Sequence, residues 1–223
     1  MKPIWVVIAA AVLIAGVYFW QNQAAQNQNE MEEEPQAMSE ADTSVAGMAD
    51  EGEESELENT IYMNLSSGGR VVIRTFPDKA PNHVARFKEL AREGFYDGVV
   101  FHRVIEGFMA QTGDPTGTGS GGSGQNIKAE FNDVPHTRGI VSTARAGHPD
   151  SADSQFFIML ADAPHLDGQY TVWGEVIEGM EHVDNITKGP REANGEVPVD
   201  QRDHIVSMTI AADADDASGG SQD

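Results

Sequence analysis

Cysteine is absent from this sequence of 223 residues. The chain can therefore form no disulfide and offers no thiol nucleophile, no cysteine-ligated zinc site and no cysteine for lipid attachment. Its histidines are scattered without the H-E-x-x-H spacing or a comparable ligand pattern, and no G-x-S-x-G motif is present. We therefore predict no metal and no other cofactor, and a dispersed serine triad has no support from the sequence.

Basic residues are scarce, since 14 Lys and Arg stand against 36 Asp and Glu for a formal net charge of -22. A surface of this sign repels nucleic acid phosphates and anionic membrane surfaces, so nucleic acid is excluded as a partner. Residues 117–122 and 119–124 both fit the G-x-G-x-x-G dinucleotide pattern. No helix onset follows them, as a phosphate site would require, and we interpret this tract as a flexible loop beside a groove.

One long apolar run is present, at residues 4–20, with Lys2 before it and three aromatic residues at its end. Its length is typical of a membrane-spanning helix, and the aromatic residues suit a membrane interface. The residues that follow offer only a poor cleavage site, so residues 1–20 are predicted to be an uncleaved membrane anchor, with a cleaved signal segment as the alternative. The position of the charge places the N-terminus in the cytoplasm and the rest outside.

Two acidic segments flank the remaining sequence. Residues 21–59 contain no basic residue, and residues 211–223 combine Asp with Gly and Ser. Such segments cannot bury enough apolar surface to offset the loss of chain entropy on folding. We predict a disordered acidic spacer at 21–59, a single folded domain at 60–210 and a disordered acidic tail at 211–223, and we expect a monomer.

Strand patterns are frequent between the two acidic segments. Residues 60–65 and 70–76 flank a Ser-Ser-Gly-Gly turn, which is typical of a hairpin. Further strand-like runs lie near 99–105, 108–112, 140–144, 155–160, 171–177 and 205–210. Helices are predicted at 78–94 and, shorter, at 179–188. These elements predict a mainly β fold, a closed eight-stranded antiparallel barrel capped by two α-helices.

Arg103 is a candidate functional residue because it lies among large apolar residues. Residues two apart in a strand share a face, so Arg103 is expected to face the same way as Phe101 and Ile105, and opposite to His102. A surface ion pair with a packed aliphatic stem would explain this segment if it stood alone. His102 is expected to support the fold.

The segment does not stand alone. FHRVIEGFMAQTGD at 101–114, SQFFIML at 154–160 and HLDGQYTVWG at 165–174 together resemble the cyclophilin family of peptidyl-prolyl cis-trans isomerases, over about residues 60–210. The resemblance implies the barrel that the strand count also predicts, and an enzyme that rotates the peptide bond before proline. Amide resonance opposes that rotation with a barrier of roughly 18–20 kcal/mol. Catalysis of this step needs no nucleophile and no metal.

The resemblance implies two catalytic residues. Arg103 matches the arginine that donates a hydrogen bond to the prolyl nitrogen as it pyramidalises, and arginine stays charged at any relevant pH. Gln111 matches the polar group that orients the arginine and the substrate. The implied substrate-binding residues, which surround the proline ring and the peptide backbone, are Phe108, Met109, Ala144, Arg145, Gln155, Phe157, His165, Leu166 and Tyr170.

The sequence departs from the family pattern at several of these positions. His165 stands where many eukaryotic members carry a tryptophan that hydrogen-bonds cyclosporin, so weak cyclosporin binding is predicted. Tyr170 stands where many members have histidine, and activity should survive both changes. Arg145 replaces a usual asparagine whose backbone is used, so its side chain is expected to be free to contact the substrate's flank. The loop at 147–154 is one residue longer than in common members.

We therefore predict a peptidyl-prolyl cis-trans isomerase that acts on X-Pro bonds of exported or envelope proteins. It is expected on the periplasmic face of a bacterial inner membrane, or soluble in the periplasm if the N-terminal segment is cleaved. Its partners would be proline-containing polypeptides and, through residues 1–20, the inner membrane. The alternative is a non-catalytic proline-peptide-binding chaperone or scaffold, and the presence of Arg103 and Gln111 favours catalysis.

Overall fold

The computed structural model describes Gly52 and residues 55–214. The predicted anchor at 1–20, most of the predicted spacer and most of the predicted tail lie outside the described residues. Within the described residues, no helix is both long and apolar enough to cross a membrane. Short helical turns at 55–58 and 211–214 lie at the two ends of the described chain.

Eight strands form one antiparallel sheet in the order β3-β4-β6-β5-β7-β2-β1-β8. The strands are β1 (Thr60–Leu65), β2 (Arg70–Thr75), β3 (Arg103–Ile105), β4 (Met109–Thr112), β5 (Ile140–Thr143), β6 (Phe156–Met159), β7 (Val172–Glu178) and β8 (Ile205–Ile210). The predicted hairpin is present, because β1 pairs with β2 across the Ser-Ser-Gly-Gly turn. The prediction of a mainly β fold with eight antiparallel strands is confirmed.

The sheet curls without closing, so the prediction of a closed barrel is wrong. Strands β3 and β8, at the two ends of the sheet, do not pair with each other. The outer edge of β3 bonds to a loop instead, with the Val104 N–H donating to Gly195 O at 2.8 Å and an isolated bridge between Arg103 and Glu196. The residues before β3 instead run beside the start of β8, where the Gly98 N–H donates to Ile205 O at 2.7 Å and the Ile205 N–H donates to Val99 O at 2.9 Å. An isolated bridge joins Val100 to His204, just before β8.

The first helix, α1 (Pro81–Arg92), packs one face against the sheet. Val84, Phe87, Leu90 and Ala91 are buried, as the apolar pattern predicts. The helix N-terminus has no cap of its own. The carboxylate of the distant Glu130 accepts hydrogen bonds at 3.0 Å from the N–H groups of Asn82 and His83, which satisfies two of the unpaired donors at the helix start.

The second helix, α2 (Met180–Asp184), is shorter than the predicted 179–188. Beyond it the backbone N–H groups bond to distant partners. The Thr187 N–H donates to the Asp203 carboxylate at 2.8 Å, and the Gly189 N–H donates to Val104 O at 3.0 Å. Local helix propensity cannot reveal such tertiary bonds, which divert the chain from the helical path.

The strands separate two groups of buried apolar residues. Successive residues of a strand face opposite sides of the sheet, so Ala110 and Ile158 enter the larger core while Met109 and Phe157 enter a smaller cluster. Phe87 of α1 lies in the larger core, stacked on Trp173 with ring centres 4.3 Å apart. The smaller cluster lies on the face of the sheet that carries the predicted site.

Candidate active site

A cavity of about 220 Å³, the first cavity, gathers nine of the eleven predicted site residues. It is lined by Arg103, Phe108, Met109, Gln111, Ala144, Arg145, Phe157, Leu166 and Tyr170. The strand register explains part of this grouping, because Arg103 lies opposite Gln111 across β3 and β4, and Gln111 lies opposite Phe157 across β4 and β6. Gln155 and His165 line neighbouring cavities.

One side of the first cavity is apolar. Met109, Phe157 and Leu166 are at least 91% buried, and they give the cavity an apolar floor. The Tyr170 ring meets Phe157 edge to face at 5.6 Å, and Phe108 stacks on His165 at 5.8 Å. Aromatic rings in these arrangements stabilise one another beyond the area that they bury. The result is a preformed apolar slot.

The opposite side carries the Arg103 guanidinium, which is bonded only to neutral oxygens. Its Nη1 donates to Gln111 Oε1 at 3.2 Å, while Nε and Nη2 donate to the backbone and side-chain oxygens of Asn194, both at 3.0 Å. No carboxylate of the described residues forms an ion pair with it. Partial burial lowers the pKa of Arg103, and arginine nevertheless keeps its proton.

A chain of amide hydrogen bonds sets the orientation of Gln111. Gln111 Nε2 donates to Gln155 Oε1 at 2.9 Å, and Gln155 Nε2 donates to the carbonyl oxygens of Gly119 and Gly121 at 3.1 and 2.8 Å. Because each amide nitrogen meets an oxygen, Gln111 must turn its own oxygen towards Arg103. Gln155 therefore acts on the site through Gln111.

The loop at 114–121, the glycine loop, is tied down by Asp114. The buried Asp114 carboxylate accepts hydrogen bonds from the N–H groups of Thr116, Gly119 and Gly121 at 2.7, 2.7 and 3.0 Å. Burial alone would raise the pKa of Asp114, but a hydrogen bond from the Thr116 hydroxyl at 2.7 Å, together with these N–H bonds, outweighs burial and holds that pKa well below its usual range. The loop lies beside a second cavity of about 560 Å³. These hydrogen bonds hold the loop in place, whereas the sequence predicted a flexible one.

Asn194 is a site residue that the sequence analysis missed. It follows a short 3-10 turn, and among the described residues it is the only non-glycine residue with positive φ, at 53°. In this conformation it presents two oxygens to Arg103. The available signal was the Asn-Gly pair, which is typical of a turn, and the following Gly195 has φ 77°. A turn signal does not indicate which side chain the turn will bind.

The faces of the Arg103 segment agree with the sequence prediction only in part. Arg103 lines the first cavity, and Ile105 packs against the same smaller cluster. Phe101 instead enters the larger core with Val104. Strand β3 begins only at Arg103, so the two-residue alternation does not extend back to Phe101.

His102 is buried behind the site. Its two ring nitrogens have no hydrogen-bond partner among the described residues. Burial lowers the pKa of His102 below the ordinary value of 6.5. The folded protein therefore favours neutral His102, and protonation of this histidine would oppose folding.

This burial predicts a pH effect on stability. Below about pH 6.5 the unfolded chain binds a proton at His102 more readily than the folded chain does, so the free energy of unfolding should fall as the pH falls from 7 to 5. We expect His102→Leu to reduce that fall, because leucine removes the titration and breaks no hydrogen bond to the described residues. Urea unfolding at pH 7 and pH 5 measures both slopes. Equal pH dependence in the two proteins would contradict the prediction.

A hydrogen-bonded Ser-His-Asp chain lies directly behind the first cavity. Ser142 Oγ is 2.9 Å from His136 Nε2, and His136 Nδ1 is 3.0 Å from Asp167 Oδ1. The order of groups matches a hydrolase triad, but Ser142 is fully buried, so no substrate can reach its hydroxyl. His136 stacks on Phe157 with ring centres 6.3 Å apart. The three hydrogen-bonded side chains therefore support the floor of the first cavity.

Metal chemistry has no support in the described part of the chain. No group of three or more His, Asp or Glu side chains in residues 55–214 is arranged to hold a metal ion. What the first cavity offers is an apolar slot and the fixed guanidinium of Arg103. Such a site can bind and polarise a neutral amide.

Comparisons with known proteins show the family of this chain. The sequence model of the family described as "Cyclophilin type peptidyl-prolyl cis-trans isomerase/CLD" matches residues 60–210. A probable peptidyl-prolyl cis-trans isomerase of Brucella abortus is 49% identical over 168 residues, which cover 70% of this chain and 84% of that protein. Peptidyl-prolyl cis-trans isomerase B of Bacillus subtilis is 48% identical over 132 residues, covering 58% and 92%.

A solved structure is also similar. The cyclophilin-type isomerase of Cryptosporidium parvum, crystallised in the presence of the dipeptide Ala-Pro, matches with a TM-score of 0.62 and 31% identity. The match covers 68% of this chain and 98% of that one. The fold and the family match together place the chain in the cyclophilin family. The protein is a peptidyl-prolyl cis-trans isomerase, the activity for which its relatives are named.

Proposed function

We propose that the first cavity binds proline and that Arg103 accelerates rotation of the X-Pro bond by stabilising the twisted amide. The observation that carries this proposal is the position of the Arg103 guanidinium, held by Gln111 and Asn194 on the rim of an apolar slot of about 220 Å³. In this assignment Arg103 is the catalytic residue and Gln111 orients it.

The mechanism follows from the electronic structure of the amide. In the planar ground state the nitrogen lone pair is shared with the carbonyl, and rotation returns it to the nitrogen. A hydrogen-bond donor aimed at that nitrogen is worth more in the twisted state than in either planar state, which is the condition for catalysis. Arg103 keeps its N–H groups in place before the substrate arrives, so little reorganisation is needed during rotation.

The apolar residues have a separate task. Phe108, Met109, Phe157 and Leu166 would enclose the pyrrolidine ring, while the carbonyl side of the rotating bond swings past them. The Ala-Pro dipeptide named with the Cryptosporidium structure supports a proline peptide as the ligand of this fold. Tyr170 would complete the wall of the pocket beside Phe157. Ala144, Arg145 and Gln155 would bind the flanking peptide, with Gln155 acting also through Gln111.

The sequence analysis also named a module that binds proline segments without useful turnover, and a direct assay of this chain distinguishes such a module from the isomerase. The two functions differ in stoichiometry, because a catalyst accelerates exchange when present in far smaller amounts than the peptide. NMR exchange measurements on an Ala-Pro tetrapeptide with a small fraction of the full-length protein separate them. Faster cis-trans exchange supports catalysis, and line broadening without faster exchange supports the binding module.

We further propose that the clients are exported or envelope proteins and that the protein acts outside the cytoplasm. The apolar run at residues 4–20 supports this, together with the charge before it and the acidic segment after it. N-terminal sequencing of the protein from its own membranes distinguishes an intact anchor from a cleaved signal. Recovery only in the soluble cytoplasmic fraction would contradict the proposal.

Cyclosporin is expected to bind weakly, with a Kd above about 1 μM. His165, on the rim beside Phe108, has a smaller ring than the tryptophan of many eukaryotic members and lacks its indole N–H. Titration of the purified protein, followed by intrinsic fluorescence or calorimetry, measures the affinity. His165→Trp should bind more tightly, and a sub-micromolar complex with the natural sequence would refute the prediction.

A further inference from the structure

Two residues from separate loops meet on the rim of the first cavity. The guanidinium carbon of Arg145 lies 4.9 Å from the centre of the Tyr170 ring, within the distance of a cation–π contact. Both residues line the cavity. They are also two of the positions at which the sequence departs from the common family pattern. The contact links the two departures.

Hydrogen bonds hold the Arg145 guanidinium over the ring. Its Nε and Nη2 both donate to Gln169 O, at 3.1 and 3.0 Å, and its Nη1 donates to Ala146 O at 3.0 Å. The side chain is therefore held in one orientation, and it still lines the cavity, where the sequence prediction has it contact the substrate's flank. A guanidinium is a planar fork, so bonds to both of its sides fix the plane itself. No carboxylate of the described residues pairs with Arg145.

The Tyr170 side chain is held by packing alone among the described residues. Its hydroxyl forms no hydrogen bond with the described residues, and its ring is held by packing against Phe157 at 5.6 Å and His136 at 6.4 Å. Tyr170 and Arg103 line the same cavity. Movement of the Tyr170 ring would therefore change the cavity next to the catalytic group.

We propose that Arg145 is a positioning residue that holds Tyr170 as a fixed wall of the proline pocket, so that the two residues act as one unit. The inference rests on the proposed assignment of the first cavity as the proline pocket. A fixed wall keeps the slot open and shaped for the ring in both planar states and in the twisted state. Its loss should weaken substrate binding and leave the rotation step nearly unchanged.

Kinetics of full-length variants test the proposal. Arg145→Gln is expected to raise KM, or the peptide Kd, by about three- to tenfold, the range of a partly desolvated cation–π contact, with kcat changed by less than about twofold. Arg145→Lys should recover part of the loss, since it keeps the charge without the fork. Tyr170→Leu should raise KM similarly, and the double variant should be no worse than Tyr170→Leu.

A matched control exists in the same protein. The Arg70 guanidinium lies 4.5 Å over the Tyr62 ring, outside the first cavity. Arg70→Gln removes the same kind of contact and should leave KM and kcat as they are. The proposal would be overturned if the double variant raised KM by the product of the two single effects, because the two residues would then act independently.

The ring of Tyr170 provides a readout that does not depend on activity. NMR of the ring signals in the free protein should show a shifted resonance and faster ring flipping in Arg145→Gln. Unchanged Tyr170 signals would overturn the positioning role even if KM rose. A different measurement tests the proposed function itself. If that function is wrong, Arg103→Ala keeps its isomerase activity, whatever the Tyr170 signals show.

Discussion

Replacing Arg103 by alanine is expected to lower kcat/KM for an Ala-Pro tetrapeptide by about 100-fold or more, the cost of removing one preorganised donor from an active site. The Arg103 guanidinium is held beside the apolar slot by hydrogen bonds to Gln111 and Asn194. Its removal leaves the slot able to bind proline and takes away the donor to the amide nitrogen. A protease-coupled assay on full-length protein measures the loss.

The pattern of the loss identifies the mechanism. A fall in kcat with little change in peptide affinity indicates an interaction made only in the twisted state. Arg103→Lys should recover little, because an ammonium cannot bond Gln111 and both Asn194 oxygens while facing the substrate. Arg74→Gln, a surface change at a cation paired with Glu175, is the control. Equal rates for Arg103→Ala and the natural protein would remove the proposed mechanism.

Replacing Phe87 by alanine is expected to lower the free energy of unfolding by about 3–5 kcal/mol. Phe87 is fully buried and packs against three other aromatic residues: Trp173 at 4.3 Å, Phe156 at 5.7 Å and Tyr96 at 6.2 Å. Alanine would remove the ring that joins α1 to the sheet and would leave a cavity. Urea unfolding followed by tryptophan fluorescence measures the change directly, since Trp173 is one of the contacts.

Phe87→Leu is the matched variant for this site. It keeps most of the volume and should cost less than about 1.5 kcal/mol. Phe87 does not line the first cavity, so the folded fraction of Phe87→Ala should keep its kcat at low temperature. A destabilisation of less than about 1 kcal/mol would show that α1 can collapse onto the sheet without the ring.

The elements of the fold were predictable where one signal dominates. The β1–β2 hairpin is specified by two apolar runs and a glycine turn, all within sixteen consecutive residues. The buried face of α1 follows from the spacing of Val84, Phe87, Leu90 and Ala91. Local signals fail at the end of α2, because Thr187, within the predicted helix, bonds to the remote Asp203, and Gly189, just beyond it, bonds to the remote Val104.

The candidate site was predictable only through the resemblance. Nine of its residues meet in one cavity, and they come from four separate segments of the chain. The residue pattern alone could have explained Arg103 as a surface ion pair. What distinguishes the two interpretations is the partner of the guanidinium, which proves to be Gln111 and Asn194 and not a carboxylate.

The sequence by itself determined the class of fold, the family and most of the residues proposed to line the proline slot, because strand alternation and the three motifs are written in consecutive residues. Only the tertiary structure decided that the sheet stays open, that Asn194 holds Arg103, and that Arg145 rests on Tyr170. Each of these depends on which loop carbonyl or ring lies within about 3–6 Å of a side chain. Such distances are set by the packing of the whole domain, and no local pattern records them.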